Sequence, residues 1–295
     1  MSAPTIKPLI EELTFETERH VHFHPHPGQQ KALESRKRIV AVIAGVRSGK
    51  TSFCPLWLYE EMQRKGSGDY LAVAPTFELL DKGLRPEIES FFGRMMEYGT
   101  GLQRQFQISE DGHNALWPGQ PITRPRRIIY GHAGNPESLA ALTAKAAVCD
   151  EAGQKGFRLG SFEEVERRVS FDSGRILIAT TVYDLGWLKQ RIYDPWMQSG
   201  CNHEDIDVIN FRTIDNPGFP KPKYYEAMRT LPTWKFRMFY DGVFTRPAGL
   251  IYDRFDPTRH TVPRHLLPAD WPRYAGLDFG AVNTAAVYLA EERDR

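Results

Sequence analysis

The chain has 295 residues, 41% hydrophobic and 25% charged. That supplies a sizeable core for one large domain or two and excludes a fibrous or disordered composition. No apolar run approaches the ~18 residues of a bilayer span, and the N-terminus MSAPTIKPLIEELTFE lacks a charged start followed by an apolar stretch. A cytoplasmic protein with no membrane partner is expected. The formal net charge of +1 leaves any polyanionic partner to local patches such as Thr123 to Arg127 and the pair Arg167, Arg168.

In chain order, the first feature is HVHFHPH, His20 to His26, with four histidines at alternate positions. No Cys or carboxylate is interleaved, and Pro25 and Pro27 make the stretch loop-like, so a solvated lead-in is expected rather than a metal site. HPGQQKAL then places Gln29 or Gln30 shortly before the first core strand. A side-chain amide there can read the paired donor and acceptor of adenine, or can be plainly solvated. Strand candidates are RIVAVIAG (38 to 45), YLAVAP (70 to 75), AAVCD (146 to 150), RILIATT (175 to 181) and DIDVINF (205 to 211). TSFCPLWLYEEMQ, TFELLDKGLRPEIESFF and SFEEVERRVS read as helices, the last with Ser161 and Glu164 at capping-box spacing. Residues 103 to 131 look like a β-hairpin excursion. Cys54, Cys149 and Cys201 lie far apart and are expected to be buried thiols. The alternation of strands and helices predicts an α/β fold with a mainly parallel central sheet flanked by helices. The expected divisions are a lead-in with an adenine-binding segment (1–36), a nucleotide-binding domain (37–240), a Pro- and Arg-rich linker (241–270), and the start of a second unit (271–295). In that unit RYAGLDFG should pair antiparallel with TAAVYLA.

The chemistry is concentrated in three places. AGVRSGKT, after the first strand, is a phosphate-binding loop of the P-loop NTPase kind: Ala44, Gly45, Val46, Arg47, Ser48, Gly49, Lys50 and Thr51. Its N–H groups would cradle phosphates, Lys50 would neutralise them, and Thr51 would hold Mg2+ with ATP. Ala44 stands where glycine is usual, and its small side chain should still permit the turn. Arg47 can reach the γ-phosphate, position the loop, or be simply exposed. AAVCDEAGQ ends a second strand in Asp150, assigned to Mg2+, and Glu151, assigned as general base. An acid following the metal ligand favours hydrolysis over transfer to a bound acceptor. Thr180 and Thr181, ending RILIATT, are placed to sense the γ-phosphate, or are there for strand propensity alone. Asp278, mid-strand in RYAGLDFG, suits a two-metal nuclease or is a turn acid.

Together these residues resemble the large terminase subunit of tailed bacteriophages. HPGQQKAL with Gln29 matches the family's adenine motif, AGVRSGKT its phosphate loop and VCDEAG its Walker B strand. ATTVYDLGWLKQRIYDPW is similar to its coupling motif, FRTIDNPGFPKPKYYEAM and FYDGVF to the segment leading out of the motor domain, and GLDFG to the first strand of its RNase H-like nuclease. The resemblance implies an ATPase that translocates double-stranded DNA into a viral procapsid. It would work as a homo-oligomeric ring in the host cytoplasm, at the procapsid portal, with a small terminase subunit and the portal protein as partners. It makes Asp278 the first ligand of a divalent metal pair. Most of the nuclease is lacking, so this chain is expected to hydrolyse ATP and not to cut DNA. No motif places a trans-acting arginine finger; Arg85, Arg94, Arg104, Arg127 and Arg168 are unranked candidates. The competing readings are a helicase-like nucleic-acid-dependent ATPase and a portal-docking module that nucleotide merely orders.

Overall fold

The computed structural model describes residues 24–98, 105–134, 139, 143–245, 266–279 and 284–291. The chain divides into two compact units, Met1–Ala248 and Gly249–Arg295.

The first unit is built on an eight-stranded sheet. Its strands are β1 (Ile39–Ala44), β2 (Gly68–Ala74), β3 (Met96–Tyr98), β4 (Gln105–Ile108), β5 (Arg126–His132), β6 (Ala146–Asp150), β7 (Arg175–Thr180) and β8 (Ile206–Phe211). They lie in the order β3-β4-β5-β2-β6-β7-β1-β8, and the six from β5 to β8 are mutually parallel. All five strands expected from the sequence are present. β1, β2, β6 and β7 are buried along their whole length, as strands covered on both faces must be, which is why they read as continuous apolar runs.

Side-chain alternation divides the core in two. Val40, Val42 and Ala44 of β1 face α1 (Pro27–Glu34), α2 (Cys54–Lys65) and α4 (Leu84–Phe92), with Trp57, Met62 and Phe92 fully buried. Ile39, Ala41 and Ile43 face α6 (Leu159–Ser170), together with Phe162, Val165 and Val169.

Several expectations are corrected. Residues 103 to 131 do not form a hairpin: β4 does pair antiparallel with β5, but α5 (Glu110–Leu116) intervenes, and β5 is a parallel neighbour of β2. The long helix expected from Thr76 to Phe92 breaks at Gly83 into α3 (Phe77–Lys82) and α4. Ser161 does not cap α6, because the helix starts at Leu159 with Arg158 as its N-cap. The Ser161 hydroxyl instead donates to Ala133 O across the fold at 2.6 Å. Cys54 and Cys149 are buried as expected, but Cys201 is exposed in the turn after α7 (Asp194–Gln198). A π-helical segment, Lys189–Tyr193, precedes α7, and α8 (Lys221–Thr230) and α9 (Thr233–Tyr240) follow β8. Most of the expected linker lies outside the described residues.

In the second unit β9 (Arg273–Phe279) pairs antiparallel with β10 (Thr284–Ala290), as expected, and Asp278 stands opposite Ala285. The side chain of Asp278 lies outside the described residues.

Candidate nucleotide site

β1 delivers the chain to a tight loop at the carboxyl edge of the sheet, where α/β folds bind ligands. Ala44 is the last residue of β1 and buried, so a glycine is not required there. Gly49 does need to be glycine: its φ is +88°, and a Cβ would lie 2.9 Å from Gln29 Nε2. Arg47 adopts φ +56°, a left-handed conformation rare for a residue with a side chain.

The loop is strapped by side chains from other segments. Thr213 Oγ1 donates to Val46 O at 2.5 Å, Asn216 Nδ2 to Arg47 O at 2.8 Å and Gln29 Nε2 to Gly49 O at 2.8 Å. His26 Nε2 lies 3.1 Å from Ser48 O. In a trans peptide the C=O and the next N–H point in opposite directions. Tethering the carbonyls therefore fixes the orientation of the peptide planes that carry the loop's amide hydrogens. Gln29 thus meets the loop rather than open solvent; its Oε1 accepts from His26 N, while Gln30 is occupied with Glu34. Of the histidine run, His20 and His22 lie outside the described residues, His24 is exposed, and His26 is buried where a solvated lead-in was expected. It caps α1 and stacks edge-on against Phe211 at 4.6 Å.

β7 lies between β1 and β6, yet the ends of β1 and β6 still meet. Thr51 Oγ1 donates to Asp150 Oδ1 at 3.1 Å, and Lys50 Nζ pairs with Glu151 Oε1 at 3.1 Å. Arg47, Lys50, Thr51, Glu87, Glu151 and Asn216 share the wall of a cleft of about 390 Å³. Burial, reinforced by the neighbouring Glu151 charge, holds the Asp150 carboxyl well above the usual carboxylate range. The Ser48 hydroxyl is fully buried with no hydrogen-bond partner among the described residues. A desolvated carboxylate beside a threonine hydroxyl, with an unsatisfied serine in the loop, fits Mg2+ with a nucleotide phosphate. Among the described residues no cluster of three or more His, Cys, Asp or Glu side chains would hold a metal by itself.

Glu151 is oriented by a residue that sequence reasoning missed. Tyr183 OH donates to Glu151 Oε2 at 2.9 Å and accepts from Gln154 Nε2 at 3.3 Å. Burial and then the Glu151 charge push the phenol pKa up, so the hydroxyl stays a donor. Thr180 and Thr181 are completely buried and do not line the cleft. The Thr180 hydroxyl accepts from Gly153 N at 2.8 Å and donates to Thr181 O at 3.0 Å, tying β7 to the turn that carries Glu151.

Of the arginine-finger candidates, Arg85 is paired with Asp81 and Glu89, Arg127 with Asp69, and Arg168 with Glu164. The side chain of Arg94 and all of Arg104 lie outside the described residues.

Comparison of the sequence with protein-family models and with curated proteins gives no match. The solved structures do. The chain is similar to the large terminase of a thermophilic bacteriophage, with a TM-score of 0.62 at 16% identity over 92% of this chain and 66% of that one. It is similar to the Thermus phage P74-26 large terminase ATPase domain, with a TM-score of 0.59 at 20% identity over 76% of this chain and 95% of that one. The fold is that of a large terminase ATPase domain. The HK97 bacteriophage large terminase matches with a TM-score of 0.58 at 15% identity, over 92% of this chain and 62% of that one. The chain therefore spans just under two thirds of the length of the first and third of these terminases. Structures of the first in complex with ADP and with ATP-gamma-S share the fold. In this terminase ATPase fold the strand order brings together the two motifs that the sequence separates by about one hundred residues.

Proposed function

We propose that the chain is an ATP-hydrolysing motor that translocates double-stranded DNA into a viral procapsid. The observation that carries this reading is the convergence of Lys50, Thr51 and Glu151 on one cleft, with the buried Asp150 hydrogen-bonded to Thr51, on a fold shared with large terminases. The loop amides and Lys50 would bind the β- and γ-phosphates. Thr51 and Asp150 would hold Mg2+, which supplies charge neutralisation at those phosphates when bound. Lys50 is paired with Glu151. An arriving γ-phosphate would compete for the lysine and free the carboxylate, which Tyr183 keeps in place to accept a proton from the attacking water. Thr180, linked to the turn carrying Glu151, would couple the step to movement along DNA.

The same reading proposes a homo-oligomeric ring at the procapsid portal in the host cytoplasm, with the portal protein and a small terminase subunit as partners. Asp278 of β9 would be one ligand of a divalent metal pair, and cutting needs further carboxylates to complete that site.

The test is hydrolysis and packaging measured on two variants. Glu151→Gln should abolish turnover, by at least about a hundredfold, while ATP still binds; Lys50→Ala should weaken binding and turnover together. Normal packaging by Glu151→Gln would instead assign the chain to a docking module in which nucleotide is structural.

A further inference from the structure

The turn after β8 reaches the phosphate loop from a part of the chain with no assigned role in nucleotide chemistry. Within it, Asn216 is committed at both ends of its amide: Oδ1 accepts from Gly218 N at 2.9 Å and Nδ2 donates to Arg47 O at 2.8 Å. The two partners fix which end is nitrogen and which is oxygen. The residue it grips is the one non-glycine of the loop in the left-handed region, and both residues line the same cleft. Residues with side chains adopt that conformation only at an energetic cost that surrounding contacts can offset. Thr213, one helical turn earlier in the same segment, holds the preceding carbonyl and is fully buried.

We propose that Asn216 is the positioning residue for Arg47. Its amide fixes the Arg47 carbonyl, which maintains the left-handed backbone and keeps the Arg47 side chain on the wall of the cleft, where a nucleotide's terminal phosphate would meet it. This rests on the cleft being the ATP site. The Gly218 contact is a separate task, capping the turn itself, and substitutions can separate the two. Asn216→Asp keeps an acceptor for Gly218 N but loses the donor to Arg47 O.

The experiment is equilibrium binding of a slowly hydrolysed ATP analogue with Mg2+ to the full chain, with a thermal melt of every variant. Asn216→Ala and Asn216→Asp should each weaken binding about fivefold, the loss of one net hydrogen bond. In an Arg47→Gly background, where glycine takes the left-handed conformation freely and the guanidinium is gone, Asn216→Ala should change affinity by less than about twofold. Wild-type affinity in Asn216→Asp, or an equal loss from Asn216→Ala in both backgrounds, would overturn the proposal. Should Asn216→Ala not fold, Asn216→Asp carries the same comparison. Failure of the underlying site is distinguishable: the unsubstituted chain would not bind the analogue, or Lys50→Ala would bind it equally well.

Discussion

Glu151 turns the chain at φ +51° where β6 ends, and its N–H is held by Ala179 O at 2.7 Å. A left-handed residue at a strand end aims its side chain where an ordinary strand residue cannot, and such strain gathers at functional sites. The carboxylate is then held between Lys50 and the Tyr183 hydroxyl. Of the two, only Tyr183 would remain if a phosphate claimed the lysine, as proposed. Tyr183→Phe should therefore lower kcat about fivefold while leaving nucleotide affinity within about twofold, as steady-state kinetics and equilibrium binding would show. An equal change in both would mean that Tyr183 shapes the cleft rather than the base. That Lys50, Thr51, Asp150 and Glu151 come together was legible because a phosphate-binding loop and its partner strand call for those residue types at fixed steps from a strand. Tyr183, Asn216 and His26 were not. Each reaches the site from a distant element through a single hydrogen bond, and no spacing rule records such a contact.

At the scale of elements, β1 and β7 announce themselves as unbroken apolar runs because both of their faces are covered. β5 does not. Its buried positions include Arg126, whose guanidinium stacks 4.0 Å over Trp117, so an internal strand reads as a basic loop. The same packing shapes α5, where His113 is 3% exposed beside Trp117. Burial first, and then the Arg126 charge, lower the His113 pKa, with Asn114 pulling the other way. The folded chain consequently binds fewer protons here than the unfolded chain as pH falls through the ordinary histidine range. Stability contributed by neutral His113 is present above that range and lost below it. Thermal melts should fall between about pH 7.5 and pH 5.5, and His113→Leu should flatten part of that slope. On the other side of α2, Glu61 is completely buried and meets Arg175 Nη1 at 2.5 Å, and Arg175 also donates to Ser35 O and Lys37 O. Removing one member strands the other, so Glu61→Ala should cost about 3–5 kcal/mol in denaturant unfolding. The reverse error, the expected Ser161–Glu164 cap, arose because a capping pair and a helix-interior pair look alike in sequence. The helix start at Leu159 and the contact of Ser161 with Ala133 tell them apart.

Across the first unit as a whole, the carboxyl ends of the parallel strands carry the candidate chemistry. The amino ends carry ion pairs: Arg127 on Asp69, and Arg175 on Glu61. Substitutions at the two edges should accordingly separate into losses of turnover and losses of stability. The expected antiparallel pairing of the strand carrying Asp278 with its successor holds in its backbone register. The fold was recoverable at this scale because the order of motifs along the chain fixes which strand ends must come together. The distribution of thiols has a practical consequence. Cys54 and Cys149 have no solvent-exposed surface and burial pushes both of their pKa values up, which leaves them poor nucleophiles, whereas Cys201 projects from the turn after α7. A maleimide dye added to the native chain should end on Cys201 alone, read as a single adduct by intact-mass spectrometry and none in Cys201→Ser. The wild-type protein would then carry one fluorophore at a known point, ready for single-molecule distance measurements without prior removal of cysteines.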